Sequence, residues 1–281
     1  MEARKVDLDF SAAQVYWNPA EPEYCQLLNA ISTLLPDLEP LLIKAVRAAQ
    51  EKLPADIPAD FRRDLRLFVA QEGRHYRMHK RFNDMLVAQG YDWLPVEQQR
   101  LAADFDRFFH EKGVKFSLAY SEGFETFGPL VSMFFFEEAG VLMADWDEPT
   151  TYLWLWHFAE EYEHRSVCNH LYHRVYGGSV YGGYWYRIYG LWYATIHLFA
   201  YSFRVALRLL ATDRRTGRLP RWRFSRLRFA RLLLRFARYM LPKMVLGCMR
   251  PGYDPATIPP PRHSLAFLEA ASQRYGILEP V

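Results

Sequence analysis

Cysteine is scarce in this chain of 281 residues: Cys25, Cys168 and Cys248 are three in number, far apart and without a CxxC pair. That excludes a disulfide framework and predicts a reducing compartment. The opening MEARKVDLDF lacks the apolar region of an export signal, so the expected location is cytoplasmic. Strand signals are nearly missing; VDLDF alternates, but residues 1–20 read mainly as an extended lead-in. No low-complexity tract occurs. Long apolar runs are missing too. IYGLWYATIHLFAYSF, residues 188–203, has no formal charge for 16 residues. A membrane span needs about 20 apolar residues, with roughly 17 as the lower limit. The run also contains Gly190 and His197, so it reads as a buried or interfacial helix. Whether residues 184–210 enter a membrane stays open.

One more absence is local. Residues 214–250 hold twelve Arg/Lys and no Asp or Glu, which leaves 23 basic residues elsewhere against all 32 acidic ones. The net charge of +3 therefore hides two zones of opposite sign. The basic zone, RRTGRLPRWRFSRLRFARLLLRFARYMLPKM, mixes arginine with Trp, Phe and Leu at helical spacing. It suits an anionic membrane surface. The structural alternative is a solvated basic face with its apolar side packed on the rest of the chain. No nucleic-acid motif accompanies it, so no nucleic-acid partner is expected.

What is present is helix. The hydrophobic content of 51% allows a sizeable core. Helical periodicity begins at Pro22 and is clear over Leu38–Leu53, with Pro36 suited to a first turn. PADIPAD reads as a linker whose Asp60 caps a helix over about Phe61–Gly90, with Gly90 as its C-cap. Further helices are expected over Leu94–Gly113, Val114–Gly140 and Pro149–Tyr176, the last stopping at Gly177-Gly178. A proline-rich segment, PGYDPATIPPPRH, and a short helix at LAFLEAAS follow. The expected domains are a bundle over 1–178 and a helical extension over 179–281, packed on the bundle or on a membrane surface.

Two segments repeat a chemical pattern. Glu72-Gly-Arg-His75 and Glu161-Tyr-Glu-His164 both fit Glu-x-x-His, which puts a carboxylate and an imidazole one helical turn apart on one side. Glu39 lies 33 residues before Glu72, and Glu122 lies 39 residues before Glu161. Each half thus reads lone Glu, helix, turn, Glu-x-x-His. These intervals allow helices of about 25 residues, roughly 37 Å long. Two such hairpins facing each other make the four-helix arrangement of ferritin-like di-metal proteins, with every donor pointing inward.

Helical angles sharpen the choice of donors. At 100° per residue, Glu72, His75 and His79 fall within about a 60° arc, and so do His157, Glu161 and His164. Phe68 and Cys168 share those arcs, so both stripes continue into apolar residues. His79 and His157 are expected as additional ligands or as groups that orient the carboxylates. Glu163 points away, toward solvent or toward Arg165 or another neighbour; Glu160 sits at the edge. Glu122 is preferred over Glu125, one turn away. Gly128-Pro129 is expected to kink the helix that carries both. The metal set is then Glu39, Glu72, His75, Glu122, Glu161 and His164, with His79, His157, Glu125 and Glu160 as further candidates. Carboxylate and imidazole donors without thiolate suit two iron ions, or manganese or a mixed Mn/Fe pair, better than zinc.

The runs FVAQEGRHYRMHKRFN (68–83) and WHFAEEYEHRSV (156–167) resemble the signature blocks of the bacterial family of predicted metal-dependent hydrolases. DLDFSAAQVYWNP and YDPATIPPP resemble that family's ends, so the resemblance spans most of the chain. The family pattern has Glu-His where this chain has Glu122-Gly123. The resemblance implies a hydrolase. The donor pattern implies instead a di-iron oxidase or oxygenase that uses dioxygen on a hydrophobic or lipid-like substrate, with electrons from a ferredoxin-type donor. Both readings, and a third in which the bundle only binds metal or acts as a membrane adaptor, go forward as expectations.

Overall fold

A computed structural model describes residues 1–138, 147–220 and 225–278. The chain is all-α, a bundle of helices with almost no sheet. Helix α1 spans Pro22–Gln50 and α2 spans Ala59–Ala88. They form a hairpin packed along its length through Leu35, Leu38, Leu42 and Val46 of α1 and Leu65, Phe68, Phe82 and Leu86 of α2, all buried. Helix α3, Leu94–Arg107, widens into a π-helical turn over Phe108–Lys112 before α4, Gly113–Glu125. Helix α5 follows at Phe127–Met133, then α6 at Glu148–His164 and α7 at Val167–Tyr176. The long α8 runs Tyr186–Thr216, and α9 runs Ser225–Lys243. Helix α10, Ser264–Tyr275, precedes a two-residue strand, Ile277–Leu278, which pairs antiparallel with Ala3–Arg4.

Several expected boundaries move for physical reasons. Pro22, not Pro36, occupies the first turn of α1, and both Pro36 and Pro40 lie inside it. A proline at position 36 has no N–H for the carbonyl of Ser32. Asn83 of α2 serves that carbonyl instead, donating its Nδ2 at 2.9 Å. Asp60 does not cap α2; Pro58 holds the cap position without a side-chain hydrogen bond. Gly90 does end that helix, at φ +102°. The helix expected over Val114–Gly140 breaks at Thr126, whose hydroxyl donates to the carbonyl of Glu122 at 2.9 Å. Its expected end at Gly140 lies outside the described residues, as do Arg221, Trp222, Arg223 and Phe224 of the basic zone. The helix expected over Pro149–Tyr176 breaks at Arg165–Ser166. There the Arg165 guanidinium donates to the carbonyls of Tyr162, Pro255 and Ala256, tying in the proline-rich segment.

The C-terminal helices pack on the bundle. Helix α8 lies against α4 and α1. At Gly190 an added Cβ would stand 2.4 Å from the Ala119 carbonyl oxygen, and at Gly123 2.7 Å from the Leu191 Cα. The crossing of α4 and α8 therefore needs both glycines. At the other end of α8, buried Asp213 accepts from Tyr16 and Tyr91 hydroxyls at 2.5 Å and from Gln26 at 2.6 Å, joining the lead-in, α1 and the turn after α2. Val180–Thr216 is long and apolar enough by composition to cross a membrane, yet 44% of its apolar window is buried within the protein.

Candidate metal centre

Four helices bring their polar residues to one place in the core. Helix α1 supplies Glu39; α2 supplies Glu72, His75 and His79; α4 supplies Glu125; α6 supplies His157, Glu160, Glu161 and His164. None of these, nor Glu122, is more than 2% exposed. They fall into two donor groups. Glu39, His75 and His157 form one, and Glu72, Glu125, Glu161 and His164 the other, with the donor atoms of each group within 4.8 Å of one another. Two carboxylates lie between the groups. Glu161 presents Oε1 at 3.2 Å from His157 Nε2 and Oε2 at 3.5 Å from His164 Nε2. Glu72 Oε1 lies 3.1 Å from His164 Nε2 and 4.0 Å from His75 Nδ1.

Hydrogen bonds on the far side of each imidazole settle which nitrogen faces inward. His75 donates from Nε2 to Glu160 at 3.0 Å; the other Glu160 oxygen accepts from Arg4, also at 3.0 Å. The Nδ1 lone pair of His75 therefore points into the centre. Gln71 donates its Nε2 to Glu163 and to the Glu2 carbonyl, so its oxygen accepts from His164 Nδ1 at 3.0 Å. His164 turns Nε2 inward. For His157 the chain of reasoning is longer. Asn83 gives its Nδ2 to the Ser32 carbonyl, so its Oδ1 accepts the Ser32 hydroxyl at 2.8 Å. Ser32 has spent its proton and must accept from His79 Nδ1 at 2.9 Å. His79 Nε2 then accepts from His157 Nδ1 at 3.1 Å, which leaves the His157 Nε2 lone pair facing Glu161.

Imidazole lone pairs aimed at carboxylate lone pairs repel unless a cation stands between them. Both oxygens of Glu39, Glu72, Glu125 and Glu161, together with His75 Nδ1 and His164 Nε2, are buried without a hydrogen-bond partner. Groups so placed suit metal ions. Four carboxylates and three neutral imidazoles sum to four negative charges, which two divalent cations balance. The proton chemistry agrees. Burial, then the neighbouring carboxylates, hold the Glu39 carboxyl well above its ordinary pKa. Burial raises Glu72 as well and lifts Glu125 to about 7. Burial alone would depress the His164 imidazolium, but Glu125 and Glu161 outweigh it and raise its pKa well above the usual value. Burial opposes ionisation of Glu161 too, yet His164 and His157 pull its pKa down. Without a cation, protons take up part of the missing charge.

The structure changes one expected donor. Glu122 turns away from the centre: its Oε1 accepts from Arg187 of α8 and from Asn169 of α7, each at 2.8 Å. The close crossing at Gly123 and Gly190 delivers Arg187 to that side of α4, so the inward carboxylate is Glu125. Glu160, expected at the edge, is fully buried behind His75. Glu163 pairs with Arg4 at 2.9 Å rather than with Arg165. Gly128 has a role beyond a kink. A Cβ there would lie 2.7 Å from Glu161 Oε2, so the missing side chain makes room for that carboxylate. Arg4, Gln71, Ser32 and Asn83 went unread in the sequence, because their parts depend on contacts between distant segments. Pro36 was the one local hint, since a proline inside a helix frees a carbonyl.

A family model described as "Predicted metal-dependent hydrolase" matches residues 2–258. Comparison with curated proteins and with solved structures gave no match.

Proposed function

Because the chain belongs to the predicted metal-dependent hydrolase family, we infer that it is a two-metal hydrolase. Glu39, His75 and His157 would hold one ion, and Glu72, Glu125, Glu161 and His164 would hold the other. The observation that carries this reading is the pair of buried donor groups with uncompensated carboxylates. Two divalent ions, when bound, supply Lewis acidity and a water of lowered pKa. The rest is done by the chain. Arg4 and Glu160 orient His75, Gln71 orients His164, and the Ser32–His79 relay orients His157. A groove of about 600 Å³ between α1 and α2 is walled by Pro40 and Gly73, the residues that follow Glu39 and Glu72, while the donors themselves lie buried behind it and do not line it.

A second reading, a di-iron oxidase or oxygenase, is favoured by the donor types. Carboxylate and imidazole groups from four facing helices, with no thiol in either group, suit iron or manganese. The family description speaks for hydrolysis over this reading.

Metal analysis and two assays separate the readings. Turnover of an ester or phosphoester without oxygen, by protein loaded with manganese or zinc, supports hydrolysis. About two irons per chain, with oxygen uptake and an absorption change when the reduced protein meets air, supports oxidation. Protein made with ample metal that binds none, and is unchanged by Glu161→Ala, overturns both.

A further inference from the structure

Helix α9 is apolar on two opposite sides. Its inner side packs against α8 and the chain after α5: the Phe229 and Phe203 ring centroids lie 5.6 Å apart, Phe236 and Phe199 6.2 Å, and Phe236 and Phe134 5.7 Å. On its outer side Leu227, Leu234 and Leu241 fall within about 40° of one another at 100° per residue. They are 52%, 61% and 47% exposed. Phe199 and Phe203 of α8, at 42% and 44% exposed, meet the inner side of α9 rather than this row.

A helix on the surface of a water-soluble bundle needs one apolar face. A second one, facing outward, needs a different neighbour. The residues beside the leucine row name its chemistry. Arg231 and Arg238 lie within about 60° of it, both exposed and without an ion pair among the described residues. Arg228 and Arg235 continue that flank, and residues 214–250 contain no acid. Leucine in the middle and arginine along the side is the pattern of a helix lying in the lipid headgroup plane. A phosphate backbone would be met by the arginines alone and would leave the leucines in water. Nor does α8 offer itself as a span. Its inner face is locked on α4 by Gly190 against Ala119 and by buried Arg187 on Glu122.

We propose that the outer face of α9 docks the protein on an anionic lipid bilayer. Leu227, Leu234 and Leu241 enter the acyl boundary, and Arg231 and Arg238 meet lipid phosphates. The proposal is independent of the reaction at the metal centre.

The test is flotation of the full chain with vesicles of phosphatidylcholine alone and of phosphatidylcholine with phosphatidylglycerol. The expected result is at least about tenfold stronger partition onto the anionic vesicles, weakened by salt. The combined variant Leu227→Ser, Leu234→Ser, Leu241→Ser and the pair Arg231→Glu, Arg238→Glu should each lose about tenfold of that partition. Both should melt within about 3 °C of the parent chain, because these side chains touch solvent in the free protein. Equal partition onto both vesicle types, or variants that float like the parent, would overturn the proposal. So would a leucine variant that melts much lower, since that assigns the row to internal packing. Salt-sensitive RNA binding without flotation would overturn it in favour of a nucleic acid.

Discussion

Replacing Gly128 by alanine tests the centre with little disturbance of the fold. The added methyl would stand 2.7 Å from Glu161 Oε2, where ordinary contact begins near 3.4 Å. The carboxylate must therefore retreat by about 0.7 Å, more than the roughly 0.5 Å within which a binding constellation must be held. The backbone has no comparable obstacle, since the next contacts are Glu161 Cβ at 3.3 Å and Glu161 O at 3.6 Å. Two local effects on folding oppose each other. Alanine gains up to about 1 kcal/mol over glycine inside a helix. Pro129 disfavours helical backbone in a preceding residue with a Cβ. Metal-free Gly128→Ala should thus unfold within about 1 kcal/mol of the parent chain in urea, while its affinity for the second metal ion falls roughly 100-fold, about 2.7 kcal/mol. Calorimetric titration of metal into the apoprotein reads the second quantity. Unchanged metal affinity would refute the placement of Glu161 between the two donor groups. A loss of several kcal/mol in the apoprotein would show that Gly128 serves packing instead.

Four further outcomes follow from the same geometry. Glu125→Gln should lower metal content while leaving the apoprotein's stability unchanged or raised. Glu122→Ala should leave metal content alone and cost about 3 kcal/mol in urea unfolding, because Arg187 would be buried without its partner. The metal-free protein should lose stability from pH 7 to 8.5. Glu39, Glu72 and His164, with raised pKa values, bind more protons folded than unfolded in that window, so the unfolding free energy falls as pH rises. Glu125, at about 7, has largely made its contribution by then. His75 and His79, depressed by burial, oppose only weakly near pH 7, where unfolded imidazoles are already mostly neutral, and not at all toward pH 8.5. A urea midpoint that rises over this range would contradict the charge assignment. Arg4→Met should weaken metal binding 10- to 100-fold through Glu160 and His75, with Arg4→Lys recovering part of it; equal affinities would place Arg4 outside the site's support.

How far the sequence could be read depended on the range of the forces involved. Helix positions and the inward stripes of α2 and α6 follow from local periodicity, and Glu39, Glu72, His75, Glu161 and His164 stand where that periodicity puts them. Glu122 and Glu125 are separated by one turn, which angle alone resolves poorly. The decision came from Gly123 and Gly190, whose lack of side chains brings Arg187 to Glu122 across 65 residues of chain. Pro36 misled for a related reason. Periodicity reads proline as a helix start, whereas here a tertiary donor, Asn83, takes the carbonyl that proline leaves free. The second apolar side of α9 was invisible because a hydrophobic row looks the same in sequence whether it faces a core or the outside.

The distribution of arginine is itself an argument about the centre. Where this fold buries a carboxylate for structure, it supplies a cation or hydroxyl donors. Arg4 meets Glu160, Arg187 meets Glu122, Arg208 meets Glu97, and two tyrosines meet Asp213. Glu39, Glu72, Glu125 and Glu161 have no Lys or Arg within ion-pair distance among the described residues. Apolar residues of similar volume would be at least as stable in their place. Four carboxylates held together against their own repulsion, beside imidazoles whose protons have been drawn outward by Glu160, Gln71 and His79, make sense when the missing positive charge arrives with a ligand. That reasoning fixes the required charge at about four units without naming the metal, so it holds for the hydrolytic and the oxidative readings alike. Metal identity then decides between them, because a redox-inactive pair can activate water but cannot accept electrons.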